Sequence, residues 1–407
     1  MSSSPPELTE QDKKKIKEYL TVIVASKPNK CELQKDDIDS LLSSPKAIQE
    51  FQIHLMSQWI TRNYCCYSVM IMVQCIIQAM LDKTEKDPPK EGRFHGWFDL
   101  FKKIGDESVA GSVLKTSLSG SAPHHVNIQE ENGLIIKYAN TGYEDTIYRE
   151  YMVGLELNKL REFIPNFMYT FGMYHCNKIT EDMDVNESMC LRSVGVDSKE
   201  ETVPYLILQM VNGETISTLL DKEELSQRQI MIILLQTFLA LDFASKKCQF
   251  EHHDLHTSNI MILRTQKPTT IKYPWKGSYI TITTDCIPII IDYGLSSIKI
   301  GEKYHPSSWE NKRHDIRVLL KGLVDEVGDG NKAKPVLKKL KKAKYKKLEQ
   351  VIEAILSERI PYYRYDVQQK TVSMIKNERG DVVQGESCSC HDTVEELFSQ
   401  FIKAGKK

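Results

Sequence analysis

The chain has 407 residues, 41% hydrophobic and 27% charged, which is enough length and apolar material for two packed cores and excludes a wholly disordered polar chain. Its 54 Lys and Arg nearly balance 55 Asp and Glu, so a formal net charge of -1 excludes a general electrostatic attraction to polyanions. The polar start Met1-Ser2-Ser3-Ser4-Pro5-Pro6 does not read as a secretory signal, and 10 scattered cysteines fit a reducing, cytoplasmic compartment better than a disulfide framework.

In chain order, residues 1–92 are expected to be a helical N-terminal extension that stops at the breaker run Asp87-Pro88-Pro89-Lys90. Residues 64–81 contain no charged side chain and are long enough to raise the question of a membrane span. Gln74 and Gln78, four apart, share one face of such a helix, and Ser68 softens it further. The expectation is a helix buried against the next domain, with no membrane span.

Gly133-Leu134-Ile135-Ile136-Lys137-Tyr138-Ala139 reads as an apolar strand with a lysine near its end, and residues 146–160 carry Ile147, Tyr151, Leu155 and Leu157 at helical spacing. Residues 203–211 form a further apolar strand that runs into a turn at Asn212-Gly213. Over residues 226–243, Ile230, Ile233, Leu234, Phe238 and Leu241 recur at steps of three and four, which predicts a buried helix. Ile287-Pro288-Ile289-Ile290-Ile291 is a short buried strand with residues 259–263 as its hairpin partner. Between them, Lys267-Pro268-Thr269-Thr270 and Trp275-Lys276-Gly277 mark an excursion of the hairpin. Residues 332–347 are the most basic stretch, with Lys332, Lys338, Lys339, Lys341, Lys342, Lys344, Lys346 and Lys347 around Leu337, Leu340 and Tyr345. Such a stretch is either a solvated helix face or a surface for an anionic partner. Cys388-Ser389-Cys390-His391 is half of a zinc site with no second ligand pair nearby, so reduced thiols are expected there.

The chemistry concentrates in His252-His253-Asp254-Leu255-His256-Thr257-Ser258-Asn259 and in Asp292-Tyr293-Gly294 at the end of the apolar strand. Phosphoryl transfer is mostly positioning and charge neutralisation around a polyphosphate that brings its own metal. A carboxylate such as Asp254 orients the attacking hydroxyl and takes its proton, Asn259 offers a neutral oxygen to magnesium, and Asp292 offers a charged one. The order and spacing of these residues resemble the protein-kinase superfamily. The form His-x-Asp-Leu-His-x-x-Asn with Asp-Tyr-Gly-Leu-Ser is similar to the haspin-like kinases and to divergent serine/threonine kinases of large cytoplasmic DNA viruses, over roughly residues 95–400.

That resemblance implies an α+β, bilobal protein-kinase-like fold, with a small antiparallel-sheet N-lobe over residues 93–210 and a mainly helical C-lobe over residues 211–407, behind the extension 1–92. It implies ATP and Mg2+ as cofactors, with Asp254 as catalytic base and Asn259 and Asp292 as metal ligands. Lys137 would hold the α and β phosphates, paired with a glutamate of the following helix, for which Glu150 and Glu156 both stand in reach along the sequence. The phosphate-covering loop over residues 104–113 departs from the family pattern, since only Gly111 and Val113 keep register and Ser108 takes the place of the middle glycine. Leu208 would be the gatekeeper, and Gln209 and Val211 the hinge that reads adenine. Only about twenty residues separate Asp292 from His314-Asp315-Ile316-Arg317, no Ala-Pro-Glu intervenes, and His253 stands where the family has arginine. A shortened activation segment is therefore expected, with Asp315 tying down the catalytic loop.

The activity so implied is transfer of the ATP γ-phosphoryl group to a Ser or Thr hydroxyl of a protein substrate. A small-molecule kinase of the aminoglycoside and choline type, which shares His-x-Asp-Leu-His-x-x-Asn, and a pseudokinase scaffold remain as alternatives.

Overall fold

The computed structural model describes residues 10–25, 67–86, 98–104, 111–118, 134–140, 142–177, 190–191, 202–307, 315–343, 347–357, 363–366, 371–374 and 386–387. The chain divides into two compact units. One comprises Met1–Leu155, Tyr169–Met210 and Cys390–Lys407, and the other comprises Glu156–Met168 and Val211–Ser389.

The first unit contains helices α1 (Glu10–Ala25) and α2 (Tyr67–Lys86), strands β1 (Phe98–Ile104), β2 (Gly111–Leu118) and β3 (Leu134–Ala139), and most of helix α3 (Glu144–Asn158). It is completed by β4 (Thr170–Asn177), β5 (Cys190–Leu191) and β6 (Thr202–Gln209). The strands form one antiparallel sheet in the order β1-β2-β3-β6-β4-β5. β6 is central, and its residues from Val203 to Gln209 are all buried, which explains an apolar run instead of a polar alternation. α2 lies on β4: Gly172 has no side chain, and a Cβ there would stand 3.2 Å from Leu81 Cδ1 and 3.6 Å from Ile77 Cγ2. Gln74, the polar residue inside this apolar helix, is buried and accepts a 2.6 Å hydrogen bond from the Tyr169 hydroxyl. The uncharged stretch thus has a sheet to cover and a partner for its buried amide.

The second unit holds β7 (Gly213–Thr215), α4 (Ile216–Asp221), α5 (Gln227–Cys248), β8 (Ile260–Trp275) and β9 (Ser278–Ile290). These are followed by β10 (Ile298–Ile300), β11 (Lys303–His305), α6 (Asp315–Glu326), α7 (Ala333–Lys342), α8 (Leu348–Ser357), β12 (Tyr363–Asp366), β13 (Thr371–Met374) and β14 (Glu386–Ser387). α5 starts at a capping box, in which the Ser226 hydroxyl accepts from the Gln229 amide and the Gln229 side chain accepts from the Ser226 N–H. It ends where Gln249 turns left-handed at φ 49. Sequence periodicity gives it one apolar face, yet every residue from Ile230 to Ala244 is buried, so the helix is surrounded. That burial accounts for α5 being apolar and long enough to cross a membrane while 83% of that window lies inside the fold.

The β8–β9 hairpin is continuous where the sequence suggested an excursion. Trp275 pairs with Ser278 around Lys276 (φ 46) and Gly277 (φ 74), a two-residue turn whose left-handed pair matches strand twist. Around Pro268, which has no N–H to give to the ladder, the register shifts between Arg264 and Thr269 and resumes. Cys75 and Cys176 are disulfide-bonded, while Cys248 and Cys286 are buried thiols. Cys388 and Cys390 lie outside the described residues.

Candidate active site

Two clusters of the expected residues are assembled, one in each unit. In the first, Lys137 on β3 stands directly opposite Val113 on β2 and Leu206 on β6. Its ammonium makes a 2.7 Å ion pair with Glu150 of α3, whose side chain is 1% exposed against 18% for the lysine. A partly buried charge-assisted bond of this kind fixes both groups much more firmly than a surface pair does. Glu156 is committed elsewhere, to Lys159 one turn along. The choice between the two glutamates, open in the sequence, is settled in geometry by helix phase.

Gly111 has a structural reason to lack a side chain. It pairs with Ala139, and a Cβ would fall 2.1 Å from the Tyr138 carbonyl oxygen. Ser108 lies outside the described residues. Leu208 and Gln209 are both 2% exposed at the end of β6. The Gln209 N–H donates to Tyr169 O at 2.8 Å while its side-chain oxygen accepts from Tyr169 N at 3.1 Å, which fixes the end of β6. Val211, where the chain returns to the second unit, is 5% exposed.

The second cluster is a loop held by backbone bonds. Glu251 and Ser297 exchange both N–H to O bonds, and this bridge sets the start of the run His252 to Asn259. His252 and His253 donate their amides to the two oxygens of the Asp315 carboxylate at 2.8 and 2.7 Å, at the first turn of α6. The anchor expected from the sequence is thus formed. His253 takes the left-handed φ of 66, unusual for a residue with a Cβ, and its ring reaches Ser297 Oγ at 2.8 Å. The His252 ring accepts from Asp254 N–H at Nδ1 and bonds Ile291 O from Nε2, an arrangement that puts the ring proton on Nε2. Phe250, His252 and Tyr293 stack edge to face behind the loop, with Phe167 on Phe250.

Asn259 donates from Nδ2 to the Asp254 carbonyl at 2.9 Å, which fixes the amide and leaves its oxygen as the group turned outward from that bond. The Asn259 carbonyl receives Ile291 N–H at 3.0 Å, one step beyond the Ile260–Ile290 pair of the hairpin. Asp292 therefore leaves the sheet beside Asn259, with φ 64 and a 3.4 Å bond from Gly294 N–H to Oδ1. A missed residue is His256, whose Nε2 is 3.6 Å from Asp254 Oδ2. Its pKa is raised, first by the Asp254 carboxylate beside it, against the opposing effect of burial, and further by the charges of Asp292 and Glu326. The signal available in the sequence was its place two residues after Asp254.

Among the described residues no group of three or more His, Cys, Asp or Glu is arranged to hold a metal by protein alone. One carboxylate and one amide oxygen suit magnesium, which keeps water and phosphate oxygens in its shell. The donor set fits a metal that arrives with a polyphosphate.

Residues 151–325 match the family described as "Haspin like kinase domain". That segment is similar to the haspin-like kinases. The match takes in Asp254, Asn259, Asp292 and Asp315 and begins one residue after Glu150. Among curated proteins, "Probable kinase 098L" of Invertebrate iridescent virus 3 is 26% identical over 61% of this chain and 43% of its own length. The "Serine/threonine-protein kinase haspin homolog" of Drosophila melanogaster is 37% identical over 19% of this chain and 14% of its own length. An uncharacterized protein of Caenorhabditis elegans, ZK177.2, is 28% identical over 54% of this chain and 67% of its own. The chain spans less than half the length of the viral relatives it matches. The crystal structure of Rad53 1-466 in complex with AMP-PNP aligns with 54% of this chain and 44% of that one at 15% identity, and its TM-score of 0.32 carries no argument.

Proposed function

We propose that this chain is an ATP-dependent, magnesium-dependent serine/threonine protein kinase. The observation that carries the reading is the anchored loop: Asp315 holds His252 and His253, Asn259 holds the Asp254 backbone, and Asp292 emerges beside Asn259. Bound MgATP supplies the phosphoryl group and the cation that neutralises its charge. Asp254 orients a protein hydroxyl and takes its proton as the new O–P bond forms and ADP leaves. Lys137, placed by Glu150, holds the nucleotide phosphates; Asn259 and Asp292 hold the metal. His256, whose charged form Asp254 and its neighbours favour, would add positive charge near the phosphate that is transferred. Exposed Lys338, Lys339 and Lys342 on α7 offer an anionic partner a surface, tested by the salt dependence of substrate binding.

The test is transfer of label from γ-labelled ATP to protein acceptors and, separately, to small hydroxyl compounds, by wild type and by Asp292→Asn. Label on protein that vanishes in the variant supports the reading. Label confined to small molecules would replace it with the aminoglycoside and choline type of kinase, and equal signal from both proteins would end the enzyme claim.

A further inference from the structure

α3 is tied down on three sides by three consecutive residues. The Tyr148 hydroxyl meets His175 Nε2 of β4 at 2.7 Å, and the two rings stack at 5.7 Å. Glu150 meets Lys137 of β3. Between them Arg149, only 3% exposed, points to α1: its Nη2 donates to the Tyr19 hydroxyl, and its guanidinium carbon stands 5.0 Å from the centre of the Tyr19 ring. Tyr19 is itself 4% exposed, and Ile16, one turn earlier on α1, is 2% exposed. A buried guanidinium is strongly unfavourable unless its charge is met, and a phenol supplies both an acceptor and a ring face.

Successive side chains leave a helix about 100° apart, so Arg149 and Glu150 point to different neighbours of the same turn. A rotation or outward shift of α3 that carried Glu150 off Lys137 would also strip Arg149 from Tyr19. The two contacts are thus mechanically linked. We propose that Arg149, gripped by Tyr19, is a positioning residue for Glu150, which makes the N-terminal helix α1 part of the support for the Lys137 ion pair. The functional side of this proposal rests on the kinase reading; the structural side does not.

The test uses the full chain with Tyr19→Leu, which removes both acceptor and ring, Tyr19→Phe, which removes the acceptor alone, and Glu150→Gln as the reference for a broken pair. Three quantities are read: amide exchange across residues 144–158, acylation of the Lys137 amine by an N-hydroxysuccinimide acetate probe, and the separate kcat and KM for ATP. In Tyr19→Leu, exchange in α3 is expected to rise about tenfold and Lys137 acylation to approach that of Glu150→Gln. Tyr19→Phe is expected to produce a shift of about fivefold, as one hydrogen bond implies. Should Tyr19→Leu fail to fold, Tyr19→Phe decides the matter alone. A lower melting temperature with wild-type Lys137 acylation and wild-type α3 exchange would reduce Tyr19 to a stabilising contact and overturn the proposal. If wild type turns over no ATP yet the acylation and exchange shifts occur, the kinase reading fails and the positioning role stands.

Discussion

Asp315 holds two amides with one carboxylate, an economy that makes it irreplaceable by its amide. In Asp315→Asn one oxygen still accepts, but the other position becomes a donor facing the N–H of His252 or His253. Leaving one buried N–H unpaired costs about 1–3 kcal/mol, so the unfolding free energy from urea titration is expected to fall by that amount and the midpoint with it. An unchanged midpoint would show that the carboxylate does not anchor the loop. His256 gives a second check at the same scale. Its pKa lies above the ordinary 6.5 because Asp254, and behind it Asp292 and Glu326, favour the imidazolium. The sign follows: the stability this pair contributes is full below about 6.5, the unfolded value, and is lost as pH rises through the higher folded value. NMR titration of the His256 ring should give a pKa above 6.5 that drops on Asp254→Asn; a value that stays put would break the link between the two groups.

The main element whose placement matters is α3, and two of its contacts have measurable weight. Gly154 lets the helix sit on the start of β4, since a Cβ there would lie 2.1 Å from Thr170 Oγ1. Gly154→Val is expected to destabilise the fold by about 1–3 kcal/mol and to loosen the Lys137–Glu150 pair, visible as faster acylation of Lys137. His175 beneath Tyr148 is held neutral, its pKa pushed down to about 4 by burial. The unfolded chain therefore binds a proton that the folded chain refuses. Stability is full above about pH 6.5 and falls as pH drops toward about 4, by about 3 kcal/mol from this group. Unfolding midpoints at about pH 7.5 and about pH 4.5 should differ accordingly, and His175→Gln, which still accepts from Tyr148, should remove most of the difference. If His175→Gln keeps the full slope, the acid sensitivity lies in other groups.

At the scale of the whole molecule, the readable parts were those whose pattern is local. The β3 run, the hairpin ends at residues 259–263 and 287–291, and the α5 start at Ser226 all follow from apolar runs and caps a few residues long. What escaped depends on partners far along the chain. Glu150 and Glu156 lie on one helix six residues apart, and which of them meets Lys137 depends on how that helix packs on β3, so the sequence left both open. Gly111 suggested backbone approach to phosphate, while its register against Ala139 also demands a glycine. α5 showed an apolar face but is buried all round, because strands and helices that cover its other side come from later in the chain. Tyr19 and Arg149, 130 residues apart, carry no shared signal at all. The central proposal is that the anchored loop and the Asp292 carboxylate serve phosphoryl transfer, and one measurement tests it most directly. Transfer from γ-labelled ATP with magnesium should be seen in wild type and fall by at least about a hundredfold in both Asp254→Asn and Asp292→Asn, with folding intact. Wild-type rates in either variant would contradict it.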